Sequence, residues 1–162
     1  KGLKYLIEAM PAILAQQKNV VLVVAGEFWE DKEEYVKKIK ELGIESHVKI
    51  FDEYISPKKV PLFFSAADVT VIPYVAIFQS AIIPTSFSYG VPVIATHIGG
   101  NRDWVSPQNG ILIPPKDSSA ITQGVAQLYG FLKGKKWRQQ IQKELKEGKW
   151  SSVLEKKILG TL

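Results

Sequence analysis

The amino-acid sequence predicts an α/β fold, a Rossmann-like parallel sheet with helices on both faces, and three observations support this prediction. Residues 68–73 and 92–96 are short, β-branched apolar runs bounded by proline, as buried parallel strands usually are. The segment between them has the length of a helix and ends at Gly90, a residue type that commonly terminates helices. The chain has 162 residues, of which 46% are hydrophobic, so it can form one domain with a sizeable core.

The predicted elements follow one another along a single domain, residues 1–162. An amphipathic helix comes first, because apolar residues recur at helical spacing from Leu3 to Leu14. The predicted strands are Val20–Ala25, Val48–Phe51, Asp68–Pro73, Pro92–Thr96 and Ile111–Ile113. The further predicted helices are Glu30–Leu42, Pro57–Phe64, 81–90, Asp117–Leu132, Lys135–Lys146 and Ser151–Leu162.

Local signals define the ends of two of these helices. Glu30–Leu42 carries acidic residues in its first turn and lysines later, the order that the helix dipole favours, and Gly43 ends it. Ser56 is the predicted N-cap of the next helix, with Pro57 at its first position, where the missing N–H is tolerated.

The loop between Pro73 and Ser80 is the predicted ligand-binding region. It follows a strand and precedes a helix, so it lies at the carboxyl edge of the sheet, where open α/β sheets bind ligands. Free N–H groups at a helix start favour anions, which indicates a phosphate-bearing ligand. The alternative is that Ser80 is only an N-cap.

Several classes of protein are excluded by composition and motif. No apolar run is long enough to cross a membrane, and no signal-peptide pattern opens the chain. The absence of cysteine excludes disulfides, thiolate metal sites and cysteine nucleophiles. His47 and His97 lack metal-ligand spacing, and no metal or other cofactor is expected. Neither a serine-hydrolase elbow nor a dinucleotide or Walker A motif is present.

The order and spacing of six segments resemble the C-terminal domain of GT-B glycosyltransferases over essentially the whole chain. The closest resemblance is to family 4, the retaining group that uses nucleotide sugars, in the subgroup with a Gln-Ser pair in the predicted loop. The segments are KGLKYLIEAM (1–10), VVLVVAG (20–26), VKIFDEYI (48–55), AADVTVIPY (66–74), FQSAIIPTSFSYGVPVIATHIGG (78–100) and NGILIPPKD (109–117). The resemblance implies a domain that binds a nucleotide-diphosphate sugar for retaining transfer to an acceptor.

The resemblance also implies roles for particular residues. Lys1 matches the lysine that contacts the donor diphosphate and offsets charge as the nucleotide leaves, and the alternative is a disordered terminal lysine. The segment Gln79, Ser80, Ala81 and Ile82 matches the helix-opening turn that faces the donor phosphates. Most members carry two glutamates eight positions apart, the second contacting ribose. This chain has Ile77 and Thr85 there, which puts ribose recognition by a carboxylate in doubt.

Two further regions are implied as parts of the donor site. Tyr54 and Ile55 lie where family members read the nucleotide base, and the alternative is an aromatic residue packed on the following helix. Gly99 and Gly100 permit a close backbone approach and would border the sugar diphosphate, or they form a plain structural turn. His97, beside them, either lines the cleft or packs in its loop.

Positive charge is concentrated in residues 133–149. This segment holds seven lysine or arginine residues and two glutamates, a local net charge of +5, whereas the rest of the chain is neutral. A basic helix can dock on an anionic membrane surface. The alternative is a solvated helix face, and no nucleic-acid partner is expected because no recognition motif is present.

The chain begins with Lys1-Gly2 at a helix, whereas a doubly wound sheet normally begins with a central strand. We therefore expect this strand to be missing between Val20–Ala25 and Asp68–Pro73, and an N-terminal acceptor domain to be missing as well. The expected location is cytoplasmic, with peripheral membrane attachment as the alternative. Two other functions stay open: a non-catalytic nucleotide-sugar-binding or scaffolding module, and a GT-B nucleotide-sugar epimerase.

Overall fold

The computed structural model describes residues 1–76, 80–132 and 136–147 and consists of short parallel strands flanked by helices. The strands are β1 (Leu22–Ala25), β2 (Val48–Phe51), β3 (Thr70–Ile72), β4 (Val93–Thr96) and β5 (Gly110–Ile113). The helices are α1 (Leu3–Gln16), α2 (Lys32–Glu41), α3 (Val60–Ala66), α4 (Ile82–Ser88), α5 (Asn101–Trp104), α6 (Ser118–Leu132) and α7 (Lys136–Lys146). The predicted α/β class with a parallel arrangement is therefore confirmed.

The described strands form two separate parallel sheets. β1 pairs with β2 in one sheet, with Leu22 opposite Val48. The other sheet has the order β3-β4-β5, with Thr70 opposite Val93 and Val93 opposite Gly110. β1 and β3 are not hydrogen-bonded to each other, which agrees with the predicted topology, in which one strand position lies between them.

The core is densest around β4. All four residues of β4 are at most 1% exposed, because helices cover this strand and its two neighbours pair with it along both edges. Phe87 and Ile83 on α4 and Leu128 on α6 are also fully buried. Helix α1 packs against α6, and α6 packs against β4 and β5, so the first helix of the chain shares one core with this sheet.

The starts of α2 and α3 differ from the sequence prediction. Helix α2 begins at Lys32 rather than Glu30, because Asp31 Oδ1 accepts the Glu33 N–H at 2.9 Å and acts as the N-cap. Helix α3 begins at Val60, so the prediction of Ser56 as its N-cap was wrong. Residues 56–59 form a separate turn, in which the Lys59 N–H donates to the Ser56 carbonyl at 2.8 Å.

Other helix ends agree with prediction or fall outside it. Gly43 and Gly90 adopt left-handed backbone conformations, with φ of 65° and 68°, and end α2 and α4 as predicted. The single-turn helix α5 and a 3₁₀ turn at Glu45–His47 were not predicted, since neither shows an apolar period. The helix predicted at 151–162 lies outside the described residues.

Candidate functional site

The candidate site is the carboxyl edge of β3 and β4, where the start of α1 meets the end of β3. Lys1 Nζ lies 4.4 Å from the centre of the Tyr74 ring, two residues beyond β3. The backbone nitrogen of Lys1 lies 3.9 Å from Glu30 Oε1, in the loop after β1. Lys1 therefore lies between the ends of the two sheets, which is where an ammonium group could meet an anionic ligand.

Gly2 allows this close approach of α1 to β3. It is the N-cap of α1 and has a φ of 79°, a conformation that residues with a side chain rarely adopt. A Cβ atom at this position would overlap the carbonyl group of Pro73. The Lys1-Gly2 pair is therefore packed against the end of β3 by contacts that only glycine permits.

The start of α4 forms the next part of the edge. Ser80 is only 8% exposed, and its Oγ accepts the Ile82 N–H at 3.3 Å. The N-cap of α4 is Ala81, so Ser80 is not the N-cap that the sequence offered as the alternative. Ala81 and Ile82 are exposed beside it. Gln79 and Ile77 lie outside the described residues. Contact of this turn with phosphate stays a prediction.

Thr85 lies one turn further along α4. Its Oγ1 donates to the Ala81 carbonyl at 2.8 Å, a bond within the helix itself. The hydroxyl hydrogen is therefore already used, and only the oxygen lone pairs are left to accept from a ligand. A carboxylate, by contrast, has four lone-pair sites on two oxygens. Ribose recognition by Thr85 stays a prediction.

A chain of hydrogen bonds joins the Gly-Gly turn to β3. Gly99 has a φ of 49°, and Gly100 leads directly into α5. The Asn101 Nδ2 atom donates to the Thr96 carbonyl at 3.0 Å, and Thr96 Oγ1 donates to the Tyr74 carbonyl at 2.7 Å. The turn predicted from Gly99 and Gly100 is thus fixed to the same residue whose ring lies under Lys1.

Sequence reasoning did not identify Thr96, Asn101 or Tyr74 as functional. Thr96 reads as an ordinary β-branched strand residue, and its hydroxyl partner is 22 positions away. The signal in the sequence was that Thr96 is a polar residue at the last position of an otherwise apolar strand, shortly before a glycine turn. His97, which was considered for the cleft, is exposed, and its backbone N–H donates to the Ile113 carbonyl at 2.7 Å.

Tyr54 and Ile55 lie in the loop after β2. Tyr54 is 68% exposed, so most of its ring is not packed against α3, whereas Ile55 is half-buried. The aromatic contact that does form here joins Phe51 to Phe63, with ring centres 5.3 Å apart. An exposed ring after a strand is available to a planar ligand, and base recognition by this loop stays a prediction.

Asp52 fixes this loop to the loop after β1. Its carboxylate accepts the Phe28 N–H at 3.2 Å and pairs with Lys32 Nζ at 2.9 Å. The hydrogen bond from Lys32, followed by that from Phe28, holds the pKa of Asp52 below its usual value. The same hydrogen bond raises the pKa of Lys32.

Tyr35 and Glu30 form a second contact near this loop. The Tyr35 hydroxyl donates to Glu30, and burial, more than this hydrogen bond, raises the pKa of Tyr35 to about 12. Glu30 is thereby held beside the backbone nitrogen of Lys1. In the described part of the chain, no group of three or more His, Cys, Asp or Glu side chains could hold a metal ion.

Comparisons with known proteins identify relatives of this chain. The family model described as "Glycosyl transferases group 1" matches residues 1–130. The uncharacterized glycosyltransferase MJ1607 of Methanocaldococcus jannaschii is 32% identical over 127 residues, which cover 77% of this chain and 32% of that protein. The chain spans about a third of the length of the curated relatives it matches.

Solved structures of glycosyltransferases share the fold. The C-terminal domain of a glycosyl transferase group 1 family protein (LpcC) from Francisella tularensis has a TM-score of 0.72 and 26% identity, covering 87% of this chain and 73% of that one. Anabaena Alr3699/HepE, solved in complex with UDP-glucose, has a TM-score of 0.68 and 22% identity, covering 91% and 45%. No helix among the described residues combines the length and apolar character needed to span a membrane.

Proposed function

The chain belongs to the group 1 glycosyltransferase family, and from this membership we propose that it binds a nucleotide-diphosphate sugar at the carboxyl edge of β3 and β4. The complete enzyme then transfers the sugar to an acceptor with retention of configuration. The single observation that carries this proposal is the position of Lys1, whose ammonium group lies over Tyr74 at this edge. The UDP-glucose complex of the Anabaena neighbour supports the choice of ligand class.

Charge stabilisation is the chemistry that this arrangement can supply. When the glycosidic bond to the donor breaks, negative charge develops on the departing diphosphate. A fixed ammonium at Lys1 offsets that charge, and the backbone at Ser80 and Ala81 adds N–H donors at the start of α4. The Ile82 N–H contributes less in the unliganded chain, because the Ser80 hydroxyl already accepts from it.

The remaining donor contacts follow from the loops on either side of Lys1. In this proposal the base lies against the exposed Tyr54 ring and Ile55, and the sugar diphosphate lies beside Gly99 and Gly100. Asp52 supports the base end, because it joins the loops after β1 and β2. Thr85 accepts from a ribose hydroxyl through its remaining lone pairs.

A second candidate function is binding of a nucleotide sugar without catalysis. It is favoured by Thr85, since a hydroxyl that is already bonded within α4 replaces the carboxylate that most family members carry. Transfer and donor-only reactions, such as hydrolysis or epimerisation, give different products from the same nucleotide sugar. Product analysis with labelled donor distinguishes transfer, epimerisation and plain binding.

The proposed partners are an N-terminal acceptor domain and, for a cytoplasmic enzyme, an anionic membrane surface at α7. Helix α7 turns Glu144 inward, where Asn109 Nδ2 lies 3.4 Å from its carboxylate, and leaves Lys143 and Lys146 exposed. Because Glu144 is buried, the exposed face of α7 carries fewer acidic side chains than the sequence of this helix contains. Each basic residue near such a surface contributes about 1 kcal/mol. Co-sedimentation with phosphatidylserine vesicles, against neutral vesicles, tests this attachment.

Nucleotide binding tests the main proposal. We expect UDP, GDP or ADP to raise the melting temperature of the protein more than the matching nucleosides do, because the site recognises phosphate. A diphosphate at 100 times its dissociation constant adds about 2.7 kcal/mol to the free energy of unfolding. Lys1→Met is expected to weaken this stabilisation, whereas Lys4→Met, at an exposed lysine in the first turn of α1, serves as the matched control.

Three results separate the outcomes. If diphosphates raise the melting temperature and only Lys1→Met reduces this increase, the result supports the proposed site. A shift that both variants reduce equally indicates general attraction of an anion to positive charge. If no diphosphate raises the melting temperature of the folded, full-length protein, the result contradicts the proposal.

A further inference from the structure

We propose that Thr96 and Tyr74 are positioning residues, which hold the Lys1 ammonium group at the donor-binding edge. The Thr96 hydroxyl fixes the backbone at Tyr74, and the Tyr74 ring in turn provides the surface on which Lys1 Nζ lies. This inference rests on the proposed function for its consequence in catalysis. Its geometry can be tested without any substrate.

The Thr96–Tyr74 bond extends the contact between β3 and β4 beyond their regular pairing. The ladder between these strands ends where Ile72 lies opposite Ala95. Tyr74 lies two residues past this point, yet its carbonyl accepts from Thr96 Oγ1 at 2.7 Å. A side chain therefore holds the first part of the loop against the sheet after backbone pairing has stopped.

Thr96 is itself held from two other directions. It lies opposite Ile113 in the pairing of β4 with β5, and its carbonyl accepts from Asn101 Nδ2 at 3.0 Å. Both Thr96 and Asn101 are at most 1% exposed. The hydroxyl thus projects from a rigid and buried position, so the carbonyl that it contacts has little freedom to move.

Tyr74 connects this rigid position to Lys1. Its ring centre lies 4.4 Å from Lys1 Nζ, a distance at which an ammonium group is attracted to an aromatic face. Gly2 packs against the Pro73 carbonyl, so the backbone on both sides of this contact is restrained. Loss of the Thr96 bond releases Tyr74, and with it the surface that fixes the ammonium group.

Four substitutions in the full-length protein separate positioning from folding. Thr96→Val keeps the shape of the side chain and removes the hydroxyl donor, whereas Thr96→Ser keeps the donor and is the matched control. Tyr74→Leu removes the aromatic face, whereas Tyr74→Phe keeps it. Urea denaturation verifies that each variant is folded under the assay conditions.

The first readout is the chemical shift of the Lys1 side chain. Protons over an aromatic face are shifted upfield by the ring, so dimethylated, ¹³C-labelled Lys1 reports on the contact with Tyr74. We expect the upfield shift in the wild type, Thr96→Ser and Tyr74→Phe, and its loss in Thr96→Val and Tyr74→Leu. An unchanged shift in Thr96→Val overturns the proposal, whether or not the protein transfers a sugar.

The second readout is donor kinetics. Displacement of a transition-state group lowers kcat on the order of tenfold to a hundredfold, and we expect this in Thr96→Val with little change in KM. In a Lys1→Met background, Thr96→Val should cause no further loss, because both changes remove the same interaction. Additive losses in the double variant contradict action through Lys1. Absence of turnover in the wild type contradicts the proposed function instead, and the chemical-shift result still decides the positioning role.

Discussion

The β3–β4–β5 sheet and the β1–β2 sheet contribute to the same candidate site but are held in place by different forces. Every residue of β4 is at most 1% exposed, whereas Val23 in β1 is 49% exposed. The buried sheet is fixed at its carboxyl edge by the Thr96–Tyr74 bond, and the other sheet by the surface pair of Asp52 and Lys32. The phosphate end of the proposed site therefore lies on the rigid part of the molecule.

This difference assigns different tasks to the two halves. Charge stabilisation needs groups held within a fraction of an ångström, and the buried hydrogen bonds around Thr96 can provide this. In the proposed function, base recognition at Tyr54 needs an accessible surface and tolerates adjustment of a loop. Charge pairs on a surface are screened by salt, so the β1–β2 side is more sensitive to solution conditions.

The largest predicted effect compares equivalent positions in the two sheets. Ile94→Ala in β4 should reduce the free energy of unfolding by about 2–5 kcal/mol, because it opens a cavity in a core that cannot fully relax. Val23→Ala in β1 should change it by roughly 0.5 kcal/mol, as is usual at exposed positions. Urea denaturation of both variants measures the difference.

An equal loss of stability in both variants would contradict this prediction. It would mean that Val23 is covered in solution by something outside the described residues, such as a strand between β1 and β3. Repeating the measurement with the longest available form of the protein tests that explanation. A cost of Val23→Ala that rises with chain length would support the missing central strand.

The strands of both sheets were predicted from the sequence, and β2 was predicted with its exact bounds. Proline-bounded apolar runs identified β3 and β4, and Gly90 identified the end of α4, because burial and helix termination leave strong local patterns. The resemblance to the family came from six segments along the chain, of which these are two. Local patterns are sufficient here because each one reports a property of a single element.

The contacts that hold the candidate site could not be predicted, because they join residues distant in sequence. Thr96 and Tyr74 are 22 positions apart, and Asp52 is 24 positions from Phe28. Ser56 misled the prediction for a related reason, since it precedes a proline as N-caps do but forms a separate turn. Whether a polar residue caps a helix or bonds elsewhere depends on the tertiary structure around it.

The second prediction uses two glycines with similar backbone conformations. Gly2 beside β3 has a φ of 79°, and Gly43 before β2 has a φ of 65°. The Cβ of alanine at Gly43 would meet open space, so Gly43→Ala should lower the free energy of unfolding by about 1 kcal/mol, through the backbone conformation alone. Alanine at Gly2 should cost roughly 1–3 kcal/mol more, because its Cβ overlaps the Pro73 carbonyl.

Thermal unfolding of Gly2→Ala and Gly43→Ala measures this difference directly. A larger loss of stability in Gly2→Ala would show that α1 is fixed to the buried sheet by close packing. Equal losses would indicate that α1 shifts away from β3 at little cost. In that case Lys1 would be held less firmly than its contact with Tyr74 suggests.

The smallest predicted effect concerns the pH dependence of the β1–β2 side. The pKa of Asp52 is lowered in the folded state, so its contribution to stability is complete above the usual aspartate value of about 3.9. That contribution is lost as the pH falls from there through the lower folded pKa. The pKa of Lys32 is raised, so its contribution is lost only as the pH rises above about 10.4.

Asp52→Asn should therefore lower the urea midpoint slightly at pH 7, and this difference from the wild type should shrink as the pH falls below about 3.9 through the lowered pKa of the carboxylate. Glu53→Gln is the matched control, because Glu53 pairs with Lys59 at the same distance of 2.9 Å but accepts no backbone N–H in the described structure. A difference between Asp52→Asn and the wild type that does not shrink as the pH falls would rule out the charge as its cause. A difference at pH 7 that survives 1 M salt would contradict the assignment of the effect to the surface ion pair with Lys32.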